Sequence, residues 1–168
     1  GAASCSPSSE LGHTDVHREL EQTVARFLDK EDAVCVGMGY GTNALLLPAI
    51  IGLHGNNVLV VSDELNHRSI VEGVRLAKAH VKLFLHNDMH DLERVLHEGC
   101  ASGKFEAILI VMEGIYSMEG DFGRLREVVS LKNRYGPMIY LDEAHSIGAV
   151  GPTGRGISEY LDVPFNEV

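Results

Sequence analysis

The stretch PMIYLDEAHSIG, residues 137–148, joins a short apolar run to a polar segment that begins at Asp142 and contains His145. A short apolar run bounded by polar turn residues is typical of a buried strand. Two earlier stretches repeat the pattern, NVLVVSDE at 57–64 and EAILIVMEG at 106–114. Because ligands of an open parallel sheet bind beyond the carboxyl ends of its strands, the polar residues at these ends are predicted to converge on one site.

Segments with a helical spacing of apolar residues separate these runs, so strands and helices alternate along the chain. This alternation predicts an α/β fold with a mostly parallel sheet and helices on both faces, without a second domain. The sequence also predicts a first unit of strand, glycine turn and helix, in which Pro48 kinks the helix or marks its start. The remaining predicted helices are 15–32, 67–80, 89–103 and 122–136, and the remaining predicted strands are 33–37 and 81–88.

The charge of the chain argues against a nucleic-acid partner, and its hydropathy argues against a membrane span in this segment. The formal net charge is -10, and the 14 Lys and Arg residues are scattered along the sequence. Such a chain repels polyanions, so no nucleic-acid partner is expected. The longest apolar stretch, ALLLPAIIGL at 44–53, is interrupted by Pro48 and has about half the length that a transmembrane helix requires. No membrane span is therefore expected in this segment.

Two nucleotide-binding motifs are matched only in part. The letters D-E-A-H also occur in nucleotide hydrolases, but a magnesium-binding acid needs an upstream GxxxxGK[ST] phosphate loop, which the sequence lacks. GMGYGT approaches a dinucleotide-binding motif with Asp63 roughly 20 residues further on, yet Thr42 replaces its third glycine. Backbone N–H groups of Gly39 and Tyr40 at a helix N-terminus would still suit a single phosphate, although a plain glycine turn has the same pattern.

Three side chains near the predicted strand ends are candidates for binding a planar, charged ring. Asp142 ends a strand, and a carboxylate there can hold a positive charge on a ring nitrogen. A helix cap or a surface turn is the alternative for Asp142, and His145 follows in the same turn. His67 stands at the expected start of a helix, where it can stack on a ring, cap the helix or be solvated.

Four segments, taken in order, resemble the α-oxoamine synthases, which are pyridoxal-phosphate (PLP) enzymes that condense an amino acid with an acyl-CoA. The resemblance extends from about residue 11 to about residue 161. Within this family, EGIYSMEGD and DEAHSIGAVGPTGRG look most like the catalytic subunits of the serine palmitoyltransferases. The segments are GMGYGTN (37–43), SDELNHRSIVEGVRLAKAHVKLFLHNDM (62–89), VMEGIYSMEGD (111–121) and YLDEAHSIGAVGPTGRG (140–156).

The resemblance implies PLP as the cofactor and a role for each candidate. Gly39 and Tyr40 would donate backbone N–H bonds to the PLP phosphate, and His67 would stack on the pyridine ring. Asp142 would pair with the ring nitrogen, and His145 would hydrogen-bond the phenolic oxygen of the ring. These three side chains, His67, Asp142 and His145, are the implied catalytic residues, and no metal is implied.

The resemblance also implies a substrate side and a set of partners. Glu113, at a strand end, and Ser117, in IYSMEG, would lie near the substrates, L-serine and a long-chain acyl-CoA. The product would be a 3-keto sphingoid base, made for sphingolipid biosynthesis. The partner would be a related non-catalytic subunit or a second copy in a homodimer. The implied location is the cytosolic face of the endoplasmic reticulum membrane for a eukaryotic protein, and otherwise the cytoplasm.

One element of the family pattern does not occur in this sequence. The family binds PLP on a lysine in a TKS-like motif well downstream of the GRG stretch, whereas all five lysines here precede Asp142 and none has that context. Residues 1–168 are therefore expected to be a partial PLP-binding large domain of a fold-type I transferase, inactive alone and without the lysine segment and C-terminal domain. The alternatives are a non-catalytic regulatory or scaffold chain of the family, or an α-oxoamine synthase that uses glycine.

Overall fold

The computed structural model describes residues 5–7, 10, 12–55 and 57–168. The chain divides into two compact units, Gly1–Gly37 and Met38–Val168. The first unit contains helix α1, Asp15–Phe27. Thr14 is the residue before its first turn, and the Thr14 backbone N–H donates a hydrogen bond to His17 Nδ1 over 3.2 Å. The helix predicted at 15–32 is confirmed, but it ends earlier, at Phe27.

The strand predicted at 33–37 is wrong. This segment has no strand structure, and the Val34 side chain is 73% exposed. The backbone N–H groups of Ala33 and Cys35 donate to the side chains of Asp32 and Glu21 rather than to a neighbouring strand. An apolar run becomes a strand only where another strand supplies ladder hydrogen bonds, and the described residues supply none here.

The second unit is built on a four-stranded sheet in the order β2-β1-β3-β4, in which every neighbouring pair is parallel. The strands are β1 Val58–Asp63, β2 His80–Phe84, β3 Ala107–Glu113 and β4 Met138–Asp142. The helices are α2 Gly39–Leu53, α3 Arg68–Leu76, α4 Met89–Ala101, α5 Leu125–Tyr135 and the short α6 Ile157–Tyr160, followed by a 3-10 turn Phe165–Glu167.

Alternate residues of β1 face two separate cores. Val58 and Val60 pack with buried residues of α2 and α3, whereas Leu59 and Val61 pack with buried residues of α4 and α5. Since side chains of a strand alternate between the faces of a sheet, helices cover both faces. This confirms the predicted α/β architecture. Burial of each such side chain stabilises the fold by about 1.5–3 kcal/mol.

Pro48 lies inside α2, which begins at Gly39, so Pro48 does not mark the start of the helix. The residue before α2, Met38, makes no hydrogen bond from its side chain to the helix end. The backbone N–H groups of the first turn of a helix have no partner within the helix. The first turn of α2 can therefore donate to a ligand.

Candidate functional site

A cavity of about 280 Å³ lies beside the carboxyl ends of β3 and β4. This volume is close to the roughly 300 Å³ at which small-molecule sites begin. Ser117 is not among the lining residues and lies in an exposed turn. The cavity is lined by Gly39, Tyr40, Thr42, Asn43, His67, Ser69, Glu113, Asp142, Ala144 and His145. The structure thus brings together all of the candidate residues except Ser117.

The first turn of α2 forms one wall of the cavity through Gly39 and Tyr40. Unpartnered N–H groups and the positive end of the helix dipole make such a turn suitable for a phosphate group. A β-carbon built at Gly39 would meet no atom within 4 Å, so the space beside this residue is open. The donors that a phosphate needs are therefore present at this end of the cavity.

The Asp142 carboxylate is held at the end of β4 by two hydrogen bonds. Its Oδ1 accepts from the Ala144 backbone N–H over 2.9 Å, and its Oδ2 accepts from Asn43 Nδ2 over 2.7 Å. An ionised carboxylate has about four lone-pair positions, so two further acceptor positions are left. A protonated ring nitrogen in the cavity can use one of them. His145 follows in the exposed turn and lines the same cavity.

His67 is the N-cap residue of α3 as well as a lining residue of the cavity. Its Nδ1 accepts the Ser69 backbone N–H over 3.2 Å and lies 2.7 Å from Ser69 Oγ. The capping and stacking interpretations of His67 are compatible, because the cap uses only Nδ1. The ring faces and Nε2 take no part in the cap.

Glu113 is a buried acid directly beside Asp142, since the strand register pairs these two residues. The His67 backbone N–H donates a hydrogen bond to Glu113 Oε1. Burial raises the pKa of the Glu113 carboxyl, and the negative charge of Asp142 adds to that increase, while the hydrogen bond from His67 opposes it. The two neighbouring acids therefore disfavour a second negative charge in the cavity.

The buried amide of Asn43 was not predicted from the sequence. Asn43 Nδ2 also donates to Ser69 Oγ over 2.9 Å, and the Tyr140 hydroxyl donates to Asn43 Oδ1 over 2.7 Å. Asn43, Leu47 and Ile51 are the buried residues of α2 and lie four positions apart. A polar residue in register with buried apolar residues is the signal in the sequence that identifies this position.

Glu143, the second acid of the D-E-A-H letters, has a structural contact rather than a ligand position. Its Oε2 accepts a hydrogen bond from Ser146 Oγ over 2.9 Å and one from the Ile157 backbone N–H over 3.1 Å. Gly156 has a φ of 84°, and a β-carbon there would stand 1.6 Å from Glu143 Oε2. Glu143 thus connects the turn after β4 to the start of α6.

Asp63 does not serve as a ribose-binding acid. It is 2% exposed, and its carboxylate accepts from the Leu65 and Asn87 backbone N–H groups and lies 3.0 Å from His86 Nδ1. Because protein groups already occupy the Asp63 carboxylate, it is not available to bind a ribose hydroxyl, and the dinucleotide-binding interpretation is excluded. Within the described part of the chain, no three His, Cys, Asp or Glu side chains are grouped as a metal site.

The family model of aminotransferase class I and II matches residues 2–163. The chain belongs to this family of PLP-dependent enzymes. None of the helices in the described ranges combines the length and the apolar character needed to cross a membrane.

Among the similar proteins, Long chain base biosynthesis protein 2a of Arabidopsis thaliana is 48% identical and aligns with 99% of this chain and 35% of its own length. Serine palmitoyltransferase 3 of Homo sapiens is 44% identical over 100% of this chain and 31% of its own length. The chain thus spans about a third of these curated relatives. A solved structure of the Sphingomonas wittichii serine palmitoyltransferase is 32% identical and superposes with a TM-score of 0.86, covering 100% of this chain and 40% of its own.

A second similar solved structure contains a bound ligand. The serine palmitoyltransferase of S. paucimobilis with a bound PLP–myriocin aldimine is also 32% identical, with a TM-score of 0.86 over 98% of this chain and 41% of its own. The cofactor of the family, PLP, suits the residues found in the cavity: N–H donors at one wall, a carboxylate with free acceptor positions, and two imidazoles.

Proposed function

We propose that this chain is the first part of the PLP-binding large domain of a serine palmitoyltransferase catalytic subunit. The complete enzyme would condense L-serine with a long-chain acyl-CoA to a 3-keto sphingoid base. The observation that carries the proposal is one cavity lined by the α2 first turn, His67, Asp142 and His145. The names of the curated relatives and solved structures support the substrate class.

Each group of the cavity has a distinct task in this proposal. When bound, PLP supplies an electron sink for the charge that develops at the substrate α-carbon. The α2 first turn binds its phosphate, and the Asp142 carboxylate holds a proton on its ring nitrogen. His67 covers the ring, and His145 donates a hydrogen bond to the ring oxygen. These tasks all orient one ring, which is why the four groups must face one cavity.

Glu113 and Ser117 are the residues proposed to lie near the substrates. Glu113 lines the cavity, and burial, with the nearby charge of Asp142, raises the pKa of its carboxyl. A raised pKa weakens the repulsion between Glu113 and the substrate carboxylate. The assignment of Ser117 rests on the family resemblance, because this residue lies in an exposed turn outside the lining.

A catalytic chain is favoured over a scaffold chain because Asp142, His145 and His67 occur together in the cavity. A chain without chemistry has no need for an acid and two imidazoles around one site. We propose that the complete protein assembles with a related non-catalytic subunit or a second copy. We also propose that it works at the cytosolic face of the endoplasmic reticulum membrane, and fractionation of the tagged complete protein tests this location.

The decisive experiment uses the complete protein encoded by the reading frame that contains these residues, purified with PLP. Incubation with palmitoyl-CoA and either L-serine or glycine is followed by mass spectrometry of the lipid product. The proposal expects the serine-derived 3-keto base as the main product. A glycine-derived product would support the alternative synthase, and absence of both products with PLP unbound would support the scaffold.

The 168-residue chain alone is expected to form no borohydride-trapped PLP adduct at one defined lysine. The cavity lining contains no lysine. Lys82 and Lys132 are paired with Glu98 and Glu167. Peptide mapping after reduction measures the result, and stoichiometric labelling of one specific lysine would contradict it.

A further inference from the structure

The buried amide of Asn43 connects two groups that approach the cavity from different elements. Asn43 is 6% exposed. Its two Nδ2 hydrogens are used by Asp142 Oδ2 at 2.7 Å and by Ser69 Oγ at 2.9 Å, and its Oδ1 accepts from the Tyr140 hydroxyl at 2.7 Å. Every hydrogen of this amide thus has a partner, and the amide contacts both β4 and α3.

The orientation of this amide is fixed by its surroundings. A flipped amide would place Asn43 Oδ1 against Asp142 Oδ2, and two acceptors at that distance repel each other. Burial raises the pKa of Tyr140 to about 12, and the charge of Asp142 adds to the effect, so the hydroxyl remains protonated at physiological pH. Tyr140 therefore remains available as a donor to Oδ1.

The same amide determines how His67 is held. Because Asn43 donates to Ser69 Oγ, the Ser69 hydroxyl hydrogen is free to donate to His67 Nδ1, 2.7 Å away. His67 Nδ1 also accepts the Ser69 backbone N–H. Nδ1 is thus the acceptor nitrogen, and the proton of the neutral ring lies on Nε2. A continuous path of hydrogen bonds runs from Asp142 through Asn43 and Ser69 to His67.

We propose that Asn43 is a positioning residue that fixes the Asp142 carboxylate and the His67 ring relative to each other. The inference rests on the proposed function, in which these two side chains meet one pyridine ring. Asn43 touches neither the ring nitrogen nor the substrate in this proposal. Asn43 donates a hydrogen bond to one oxygen of Asp142, and the Ala144 N–H donates to the other. Together these bonds fix the orientation of the carboxylate that would pair with the ring nitrogen.

The test measures the protonation of the ring nitrogen in the complete PLP-loaded enzyme. PLP labelled with ¹⁵N in the ring is bound to the wild type and to Asn43→Ala, and the NMR shift of the nitrogen is followed against pH. Without Asn43 the Asp142 carboxylate can turn away from the ring nitrogen, which then loses part of its charge-assisted hydrogen bond, so the midpoint is expected to fall by about 1 pH unit. A weakened PLP stack on His67 is expected as well, measured as a higher PLP dissociation constant.

Asn66→Ala is the matched control. Asn66 is 7% exposed, and its Nδ2 donates to Ser62 Oγ and to the Val111 carbonyl oxygen, both at 2.8 Å. The control also loses buried hydrogen bonds and thermal stability, but its ring-nitrogen midpoint is expected to match the wild type. An equal loss of thermal stability in both variants with unchanged midpoints would overturn the inference, because Asn43 would then be only structural.

Tyr140→Phe keeps the test valid if Asn43→Ala does not fold. It removes the hydroxyl that orients the amide and retains the ring, so a smaller fall of the midpoint in the same direction is expected. A wild-type midpoint in a folded Tyr140→Phe enzyme would count against the inference. Failure of the proposed function is distinguishable, because in that case the wild-type enzyme binds no PLP or holds its ring nitrogen unprotonated.

Discussion

Gly73 in α3 lies so close to Asn43 in α2 that a β-carbon at position 73 would stand 2.4 Å from the Asn43 carbonyl oxygen. The absence of a side chain at Gly73 therefore permits the approach of the two helices. Both helices line the cavity, α2 through Asn43 and the start of α3 through Ser69 and its N-cap residue His67. The geometry of the site depends on this contact between backbones.

Replacement Gly73→Ala is expected to destabilise the complete protein, because a methyl group must displace backbone rather than a flexible side chain. The expected loss is about 1–3 kcal/mol, measured by denaturant unfolding, together with weaker PLP binding. Gly52→Ala in α2 is the control, since a β-carbon there meets nothing within 4 Å. The control is expected to be neutral or to gain up to about 1 kcal/mol. Equal behaviour of the two variants would contradict the role of the close contact.

The two roles of His67 can be separated by two substitutions in the complete protein. Asn is a good N-cap residue, so His67→Asn is expected to keep the stability of α3, whereas His67→Ala is expected to lose about 1 kcal/mol. Both remove the ring, and loss of one aromatic stack is expected to raise the PLP dissociation constant roughly twofold to tenfold. PLP titration of both variants, with thermal unfolding of the apo forms, gives the two readouts. If His67→Asn binds PLP as the wild type does, the stacking role is wrong.

The sheet was predictable from the sequence because its strands are short apolar runs with a clear polar end. The predicted strands at 57–64 and 106–114 correspond to Val58–Asp63 and Ala107–Glu113, and the helix predicted at 89–103 corresponds to Met89–Ala101. The same rule failed at 33–37. The composition of an apolar run does not reveal whether a neighbouring strand is present to pair with it. An apolar run without a neighbouring strand remains irregular.

The polar network of the site was less predictable than the sheet. Asn43 and Ser69 are 26 positions apart, and Asn43 and Asp142 are 99 apart. Single residue types at the strand ends could be identified one by one, but hydrogen bonds between them depend on helix packing that the sequence pattern does not specify. The location of Ser117 in an exposed turn depends in the same way on the course of the loop after β3.

The stability of the protein is expected to depend on the ionisation of Glu113. Its pKa is raised above the ordinary value of 4.5 mainly by burial, so the folded state favours the protonated carboxyl. The contribution of Glu113 is therefore most favourable below about pH 4 and is lost as pH rises through the folded-state pKa. Glu113→Gln remains uncharged and retains an oxygen for the His67 N–H.

The free energy of unfolding of Glu113→Gln and wild type is measured across this pH range. The stability of the variant relative to the wild type is expected to rise from about pH 4 towards neutral pH. The contributions of the other acids are the same in both proteins and cancel in the difference. Glu127→Gln is the control, because Glu127 lies outside the cavity and forms a partly exposed ion pair with Arg124. If the difference in unfolding free energy between Glu113→Gln and the wild type did not change with pH, burial would not disfavour the ionised form of the Glu113 carboxyl.

Replacement Asp142→Asn in the complete enzyme distinguishes the ring-nitrogen partner from a turn-forming residue. The substitution removes the charge, so the ring nitrogen loses its charge-assisted partner and the pyridine becomes largely neutral. Condensation is expected to slow by roughly 100-fold or more, while PLP remains bound through its phosphate. Because both Asp142 oxygens accept hydrogen bonds, from Asn43 and Ala144, an amide that presents one NH₂ group also loses one of these contacts. Some loss of thermal stability is therefore expected in addition.

Asp88→Asn measures what an acid contributes when it only caps a helix. The Asp88 carboxylate accepts from the His90 and Asp91 backbone N–H groups at the start of α4 and lies outside the cavity lining. Since Asn and Asp are nearly equal as N-caps, Asp88→Asn is expected to change stability by less than about 1 kcal/mol and to leave the turnover of folded enzyme unchanged. If Asp142 were also only a cap, its variant would behave in the same way. Thermal midpoint, bound PLP and condensation rate are measured on both proteins. A folded, PLP-loaded Asp142→Asn enzyme with wild-type turnover would refute the proposed role of Asp142, because a neutral ring would then suffice for the reaction.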